Sequence, residues 1–218
     1  PQEMISLGRV DDVRQLVAND PGFVQRISDG YEDSADPALL WAVRSGAPEM
    51  MELLLGAGAD PNQHGRWEVP LSLATGDVEM TQRLIEAGAD VNGSVFPGWT
   101  ILTTAVHRRG FEMAELLLER GADVDRRAAA VGRRSGGLTA LQAMVRECRE
   151  PASIDDCLEK LTFLLDRGAD ANVVSDDGRT ALDCQLEKEG DTRYDFPSPQ
   201  IEALLRDHGG KRAEELAP

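Results

Sequence analysis

Four segments of the chain place apolar residues at intervals of three and four and then end at a glycine. This spacing puts the apolar side chains on one face of a helix and the polar ones on the other. We therefore predict four amphipathic helices of one kind, in the segments EMMELLLGAG, EMTQRLIEAG, FEMAELLLERG and CLEKLTFLLDRG.

The same short loop closes each predicted helix, in the forms GAGADPN, EAGADVN, RGADVD and RGADAN. Glycine can adopt the left-handed conformation that ends a helix, which explains why it recurs there. The distance is 30 residues from Gly58 to Gly88, 33 to Gly121, 47 to Gly168 and 41 to Gly209. A repeating unit of about 33 residues, with one deletion and some additions, accounts for these distances.

A shorter helix is predicted after each loop, and its first residues indicate a family. The tetrapeptides that open it resemble the Thr-Pro-Leu-His-like start of the ankyrin repeat, whose unit is a β-turn followed by two antiparallel helices. No tetrapeptide has the histidine, which in that family helps to tie adjacent turns together, so we expect less rigid turns. The tetrapeptides are PALL at 37–40, VPLS at 69–72, TILT at 100–103, TALQ at 139–142 and TALD at 180–183.

The resemblance implies an all-α repeat solenoid with β-hairpin fingers, built from about five to six repeats including degenerate caps. We expect one ankyrin-repeat domain over residues 1–218, because a single helix pair cannot bury its apolar face alone. Its predicted parts are an N-terminal capping half-repeat at 1–30, repeats at 31–62, 63–92, 93–125 and 126–172, and a C-terminal capping repeat at 173–218. The repeat at 126–172 has an extended finger and an insert between its helices.

Composition fits a protein outside membranes and secretion routes. No apolar run approaches the roughly 18 residues of a membrane span. The N-terminal PQEMISLGRV lacks the basic and apolar regions of a signal peptide. Three cysteines, Cys148, Cys157 and Cys184, would leave one unpaired in a disulfide framework. We therefore expect reduced thiols in a cytoplasmic protein that is a monomer when unbound.

The net charge of -16 disfavours nucleic acid as a partner. The predicted second helices and their loops hold 19 acidic and five basic residues, which is most of that excess. In the geometry that the resemblance implies, these helices face outward. The acidic residues are then most simply a solvated face that aids solubility, and the overall charge says little about the partner.

Motifs for catalysis or metal binding are weak throughout. None of the three histidines, His64, His107 and His208, has a second histidine or a cysteine at metal-ligand spacing. GAGADP at Gly56 follows a predicted helix and not a strand, so it indicates helix termination and not dinucleotide binding. Asp-Asp-Gly at 176–178 indicates a hairpin turn and not a calcium loop. We expect no enzyme activity, no metal and no cofactor.

Ankyrin proteins usually bind partners on their concave side, formed by fingers and first helices, and three features stand out there. The finger between Asp125 and Thr139 is long, basic and glycine-rich; the linkers within the last two repeats are extended; and two fingers carry aromatic residues. Exposed aromatics and arginines are typical interface anchors. The predicted protein-binding residues are Trp67, Phe96, Trp99, His107, Arg108, Arg126, Arg127, Arg133 and Arg134. Two alternatives stay open: Trp67 and Trp99 pack on neighbouring hairpins, and the long finger is a tolerated surface insertion.

Two functions fit this pattern. The favoured one is a scaffold that binds one protein partner and either regulates it or, as an immunity protein does, neutralises it. The second is a recruitment module of a longer multidomain protein or effector, in which an array of this kind positions another domain.

Overall fold

A computed structural model describes most of the chain as short helices joined by tight turns. The chain divides into two compact units, Pro1–Val91 and Asn92–Pro218, and each is treated by itself below. The described residues are 2–25, 36–65, 68–74, 76–95, 98–108, 110–129, 137–148, 154–186 and 198–216.

The described residues of the first unit form three pairs of helices and one 3-10 turn. First helices pack on first helices, α1 against α3 and α3 against α5, while α2 packs against α4. The elements are α1 (Gln2–Ser6), α2 (Val10–Asn19), the 3-10 helix η1 (Pro21–Gln25), α3 (Ala38–Arg44), α4 (Pro48–Gly56), α5 (Pro70–Leu73) and α6 (Val78–Glu86).

The second unit opens with a β-hairpin and continues with helices that stack in the same manner. Here α7 packs against α9 and α9 against α11, while α10 packs against α12. The elements are β1 (Ser94–Val95), β2 (Trp99–Thr100), α7 (Ile101–His107), α8 (Phe111–Glu119), α9 (Ala140–Glu147), α10 (Ile154–Asp166), α11 (Ala181–Leu186), α12 (Pro199–Asp207) and α13 (Ala213–Leu216).

Prolines and polar caps set where several helices begin. Proline occupies the first turn of α4, α5 and α12, where its missing N–H group costs nothing. The Asp77 carboxylate accepts the Met80 N–H at the start of α6, and the Thr100 hydroxyl accepts the Thr103 N–H at the start of α7. These caps satisfy backbone donors that the helix itself cannot satisfy.

Two recurring leucine positions form the core, and they explain why the sequence repeats. One is the third residue of the tetrapeptide and the other lies four residues before the loop glycine. All of these leucines are at most 1% exposed, so the same side chain fills the same buried position in each repeated helix pair. The tetrapeptide leucines are Leu39, Leu71, Leu102, Leu141 and Leu182, and the loop leucines are Leu54, Leu84, Leu117, Leu164 and Leu205.

The loop glycines adopt the predicted left-handed conformation. Gly88 and Gly121 have φ angles of 94° and 91°. A Cβ atom on either residue would meet no atom within 4 Å, so the backbone conformation and not crowding requires glycine. After each glycine an N–H group donates back to the buried leucine: Ala89 to the Leu84 carbonyl and Ala122 to the Leu117 carbonyl, both at 2.9 Å. This hydrogen bond, from the residue after the glycine to the carbonyl five residues earlier, belongs to the Schellman motif that closes a helix.

The last residue of the repeated loop links it to the next loop. Asn62 donates from Nδ2 to the Gly88 carbonyl and accepts the Asp90 N–H at 2.7 Å. Asn92 does the same with Gly121 and Asp123, and Asn172 with Gly209 and Lys211. Because an amide both donates and accepts, one side chain satisfies two backbone groups of the following loop.

Asp125 occupies this position in the third of these loops and can make only half of the link. Its carboxylate accepts the Asp170 N–H at 3.0 Å. An ionised carboxylate has no hydrogen to donate to the corresponding carbonyl of Gly168. Burial, with the nearby charges of Asp170 and Asp123, raises the pKa of Asp125 above its ordinary value.

We expect Asp125→Asn to stabilise the protein at pH 7 by about 0.5–1.5 kcal/mol, because it supplies the missing donor. A raised pKa means that wild-type stability falls as pH rises above about 4 through the folded pKa. The gain from asparagine is therefore complete at neutral pH and shrinks as the pH is lowered toward 4. Urea titrations at pH 7 and pH 4 measure this gain. If Asp125→Asn leaves the free energy of unfolding at pH 7 unchanged or lowers it, Asp125 does not lack a donor at this position.

The C-terminal tail is held by Asp183, the fourth residue of the tetrapeptide TALD. This carboxylate is 3% exposed. It accepts the Ala213 N–H at 2.8 Å and the Arg212 Nε at 2.9 Å, and it also accepts the Thr180 N–H at the start of α11. Burial alone would raise the pKa of Asp183, but the donors from Ala213, Thr180 and Arg212 together lower it.

Asp183→Asn should reduce stability at pH 7 by roughly 1–2 kcal/mol, since the bond to Arg212 loses its charge. A lowered pKa gives wild-type stability that is present above about pH 4 and is lost as pH falls through the folded pKa. The two proteins should therefore converge in stability at low pH. Melting curves from pH 7 to pH 3 test this, and a constant difference over that range contradicts it.

The prediction that all cysteines are reduced thiols is wrong for two of the three. Cys148 and Cys157 form a disulfide, with Cα atoms 5.7 Å apart. Counting cysteines could not reveal that the end of α9 and the buried side of α10 converge. Cys184 is a free thiol in α11.

The fold is thus predominantly helical and repetitive, as predicted. The number of repeats, their boundaries and the single-domain organisation stay predictions. Within the described part of the chain, no helix combines the length and the apolar character needed to cross a membrane.

Candidate interaction surface

The hairpin β1–β2 forms the finger that carries Trp99. Its strands pair antiparallel, with Ser94 opposite Thr100 and Val95 opposite Trp99. Val95 and Thr100 are buried and anchor the finger, while Trp99 is half-buried. Thr100 also caps α7, which leads the chain directly from the finger into the first helix.

Trp99 packs against His107, at the last turn of α7. The ring centroids lie 4.7 Å apart with the planes tilted by 53°, a favourable arrangement for two π systems. Two residues predicted for the site are therefore in contact, and His107 belongs to the helix that follows the finger. Burial lowers the pKa of His107, the charge of Lys160 lowers it further, and Glu147 acts in the opposite direction.

The base of the long finger is fixed by neighbours on both sides. The Ala128 N–H donates to the Leu138 carbonyl at 3.0 Å, which closes the two ends of the finger as a hairpin stem. The Ala129 N–H donates to the Ser94 hydroxyl of the preceding finger. Arg127 forms an ion pair at 2.8 Å with Asp176 of the following finger. We call residues 126–129 and 137–139 the stem.

Gly137 lets the stem approach the following finger closely. A Cβ atom at this position would clash with the Asp176 carboxylate and displace it from Arg127, and the φ of 41° also favours glycine. The finger that carries Asp176 is itself a tight hairpin, as predicted from Asp-Asp-Gly. Ser175 donates to the Arg179 carbonyl at 2.9 Å and Gly178 has a φ of 80°.

Gln142 braces the same finger from α9, and the sequence did not reveal it. Its Nε2 donates to the Val173 carbonyl at 2.8 Å and to the Arg179 carbonyl at 3.0 Å. Its Oε1 accepts the Thr139 N–H. Gln142 thus takes over the task of the histidine that is missing from the tetrapeptide TALQ. At the same position Ser72 and Thr103 make local bonds within their own turns.

The remaining predicted residues differ in what can be said of them. Arg108, Arg126 and Arg127 are exposed. Trp67, Phe96, Arg133 and Arg134 lie outside the described residues, and their roles stay predictions.

A groove lies between α8 and α10 of the second unit. It is an open groove of about 350 Å³, lined by Glu115, Leu118, Glu119, Ala122, Val124 and Arg167. Arg167 pairs with Glu115 and stacks over Phe163 at 3.9 Å. In each unit taken by itself, acidic residues of the second helices are exposed, at Asp11, Glu49 and Glu79 in the first and at Glu112 and Glu115 in the second.

Comparisons with known proteins identify the repeat. Residues 39–128 match the model of a family described as ankyrin repeats (3 copies). The Homo sapiens Ankyrin repeat and SOCS box protein 6 is 42% identical over 98 residues, which cover 40% of this chain and 23% of that protein. The Mus musculus Ankyrin repeat, SAM and basic leucine zipper domain-containing protein 1 is 29% identical over 102 residues, 47% of this chain and 19% of that protein.

The resemblance to the ankyrin repeat family is confirmed for residues 39–128, which carry ankyrin repeats. The chain spans about a fifth of the length of these relatives.

Proposed function

We propose that this ankyrin repeat chain is a non-catalytic module that binds a protein partner through the finger side of its second unit. Ankyrin repeats are in general protein–protein interaction modules, and the proteins that carry them are typically non-catalytic scaffolds. The proposed contact residues are Trp99, His107 and Arg108 together with the long finger and its arginines. Trp67 and Phe96 lie outside the described residues and belong to the proposed contact residues on the strength of the sequence alone.

The fixed stem is the observation that carries this proposal. A surface insertion that is merely tolerated needs no attachment to its neighbours, because added loop residues are entropically cheap. Here Ser94 of the preceding finger and Asp176 of the following finger hold the stem from two sides, and the Ala128–Leu138 bond closes it. A stem fixed in advance lowers the conformational entropy that a partner must remove on binding.

Trp99 and His107 supply the second part of the surface. Together they form a packed aromatic pair beside the finger turn, with Trp99 half-buried. A side chain that is already immobilised loses little entropy when a partner covers its remaining surface. Tryptophan in such a position is the commonest kind of binding hot spot.

The charge of the long finger selects an acidic partner surface. Arg126, Arg127, Arg133 and Arg134 lie within nine residues of sequence. Guanidinium groups bind carboxylates and phosphates with two parallel hydrogen bonds. Arg127 already donates one such hydrogen bond, to the Asp176 carboxylate.

Two roles are compatible with such binding. In the first, the chain is a free-standing cytoplasmic protein, a monomer when unbound, that regulates or neutralises its partner. In the second, the chain is a recruitment module of a longer protein. The names of the matched relatives include a SOCS box in one case, and a SAM domain and a basic leucine zipper in the other. The second role is favoured to the extent that this chain shares their organisation, and the full reading frame separates the two.

The test first isolates a protein partner with the wild-type chain as bait. The affinity of this partner for three variants is then measured by binding titration at two salt concentrations. Trp99→Ala should weaken binding by about 30-fold or more, which corresponds to a hot-spot loss of about 2 kcal/mol. Replacing the four arginines with serine should weaken binding and reduce its dependence on salt. Glu112→Ala, an exposed change on α8, is the control. It is cleaner than a change at Glu115, which pairs with Arg167.

Unchanged affinity in both finger-side variants would place the interface elsewhere. A larger loss in Glu112→Ala than in either of them would move it to the side of the second helices.

A further inference from the structure

Cys148 and Cys157 join the two helices of the repeat that carries the inter-helix insert. Cys148 is the residue that ends α9, where its N–H donates to the Val145 carbonyl at 3.3 Å. Cys157 lies on the buried side of α10 and is 5% exposed. The Cα distance of 5.7 Å falls within the usual range for a disulfide. The bond can therefore open or close without a large movement of either helix.

The two sulfurs differ in their access to solvent. Cys148 is half-buried and Cys157 is buried, so a small thiol or disulfide in solution reacts first at Cys148. The third cysteine does not compete, because burial raises the pKa of the Cys184 thiol to about 11. Such a group is almost entirely protonated at neutral pH and reacts slowly.

Charged residues in the first turns of α10 act on His107 of the candidate interaction surface. Asp156 precedes Cys157, and Lys160 pairs with Asp156 at 2.7 Å one turn later. Lys160 and Asp156 of α10, Glu147 of α9 and Arg108 are the charged groups that act on His107. Whatever fixes the start of α10 to the end of α9 therefore fixes part of the surroundings of the Trp99–His107 pair.

We propose that Cys148 and Cys157 form a reversible redox switch, which ties the start of α10 to α9 when oxidised and releases it when reduced. A cytoplasmic thiol pool would hold the pair in its dithiol form, and an oxidising shift would close it. The switch acts on the surroundings of the proposed binding surface but does not depend on the identity of a partner.

The oxidant is a low-molecular-weight disulfide of the glutathione class. The Cys148 thiolate attacks one sulfur of this disulfide, forms a mixed disulfide and expels one glutathione thiolate. The Cys157 thiol then loses its proton, attacks the Cys148 sulfur and expels the second glutathione thiolate. Two protein thiols are oxidised to one disulfide, one glutathione disulfide is reduced to two thiols, and protons are conserved. Excess reduced glutathione drives both steps backward.

The whole chain is equilibrated in glutathione buffers that range from fully reduced to fully oxidised. It is then denatured and alkylated, and the number of alkyl groups is measured by mass spectrometry. The dithiol form should take up three alkyl groups and the disulfide form one, and the ratio should follow the buffer smoothly. Hydrogen exchange at residues 154–160 should slow by about tenfold or more on oxidation, and the melting temperature should rise by roughly 5 °C. Cys184→Ser should keep these responses, and Cys148→Ser should abolish them.

The wild-type titration alone can overturn the proposal, whether or not the serine variants fold. Three alkyl groups in every buffer would mean that the pair does not close. One group even in reduced glutathione would mean a permanent structural bond and no switch. Equal exchange at 154–160 in the two forms would mean that the bond does not hold α10.

Discussion

Removal of residues 199–218 should lower the free energy of unfolding by roughly 3–6 kcal/mol. This segment contains α12, which packs against α10 and α11. Its Ile201 and Leu205 are fully buried, and burying one aliphatic side chain contributes about 1.5–3 kcal/mol. The truncated protein would also expose the apolar side of α10 and α11, so it should associate at micromolar concentrations. Urea unfolding and light scattering measure the two effects.

A shorter truncation provides the control. Removing residues 213–218 takes away α13, which buries no side chain, but leaves α12 in place. The loss should be limited to the bond between the Ala213 N–H and Asp183 and to the exposed pairs of Glu214 and Glu215 with Arg212 and Arg206. A 199–218 deletion that remains monomeric with an unchanged melting temperature would show that α12 is not a cap.

Leu117→Ala should lower the free energy of unfolding by about 2–5 kcal/mol, the cost of truncating a fully buried leucine. Leu117 is 0% exposed, and its carbonyl accepts the N–H of Ala122 that closes α8. The lost methyl groups leave a cavity at the point where the helix terminates. Denaturant titration measures the change, and the melting temperature should fall by roughly 5–15 °C.

Leu118→Ala is the matched control for this change. It makes the same chemical substitution one residue along α8, but Leu118 is only half-buried and lines the open groove. Its loss should stay below about 1 kcal/mol, since less apolar surface leaves water. Equal losses at the two positions would contradict the assigned orientation of α8.

The regular parts of the fold were predictable because their signals are local. Apolar spacing identifies the buried face of a helix, and the glycine that ends it follows within a few residues, as Leu84 and Gly88 show. The bonds of Gln142 and Asp183 were not predictable. Their partners lie about 30 residues further along the chain, at Val173, Arg179 and Ala213. From the sequence these positions show only that a histidine is missing.

The sequence selects candidate residues for the site but does not give their arrangement. Trp99 and His107 were both selected from the sequence, and their contact follows from the way α7 continues directly from the finger. The pairing of Arg127 with Asp176 was not predictable, because it joins two fingers that are 49 residues apart. The same holds for the disulfide, which joins the end of α9 to the buried side of α10.

The most direct test of the central claim is the hydrogen-exchange footprint of a bound partner on this chain. We expect the partner to slow exchange in the finger and α7, at 94–108, and in the stem, at 126–129 and 137–139, while α8 (Phe111–Glu119) is unaffected. Protection confined to α8 and α10, with the finger and the stem unchanged, would contradict the account.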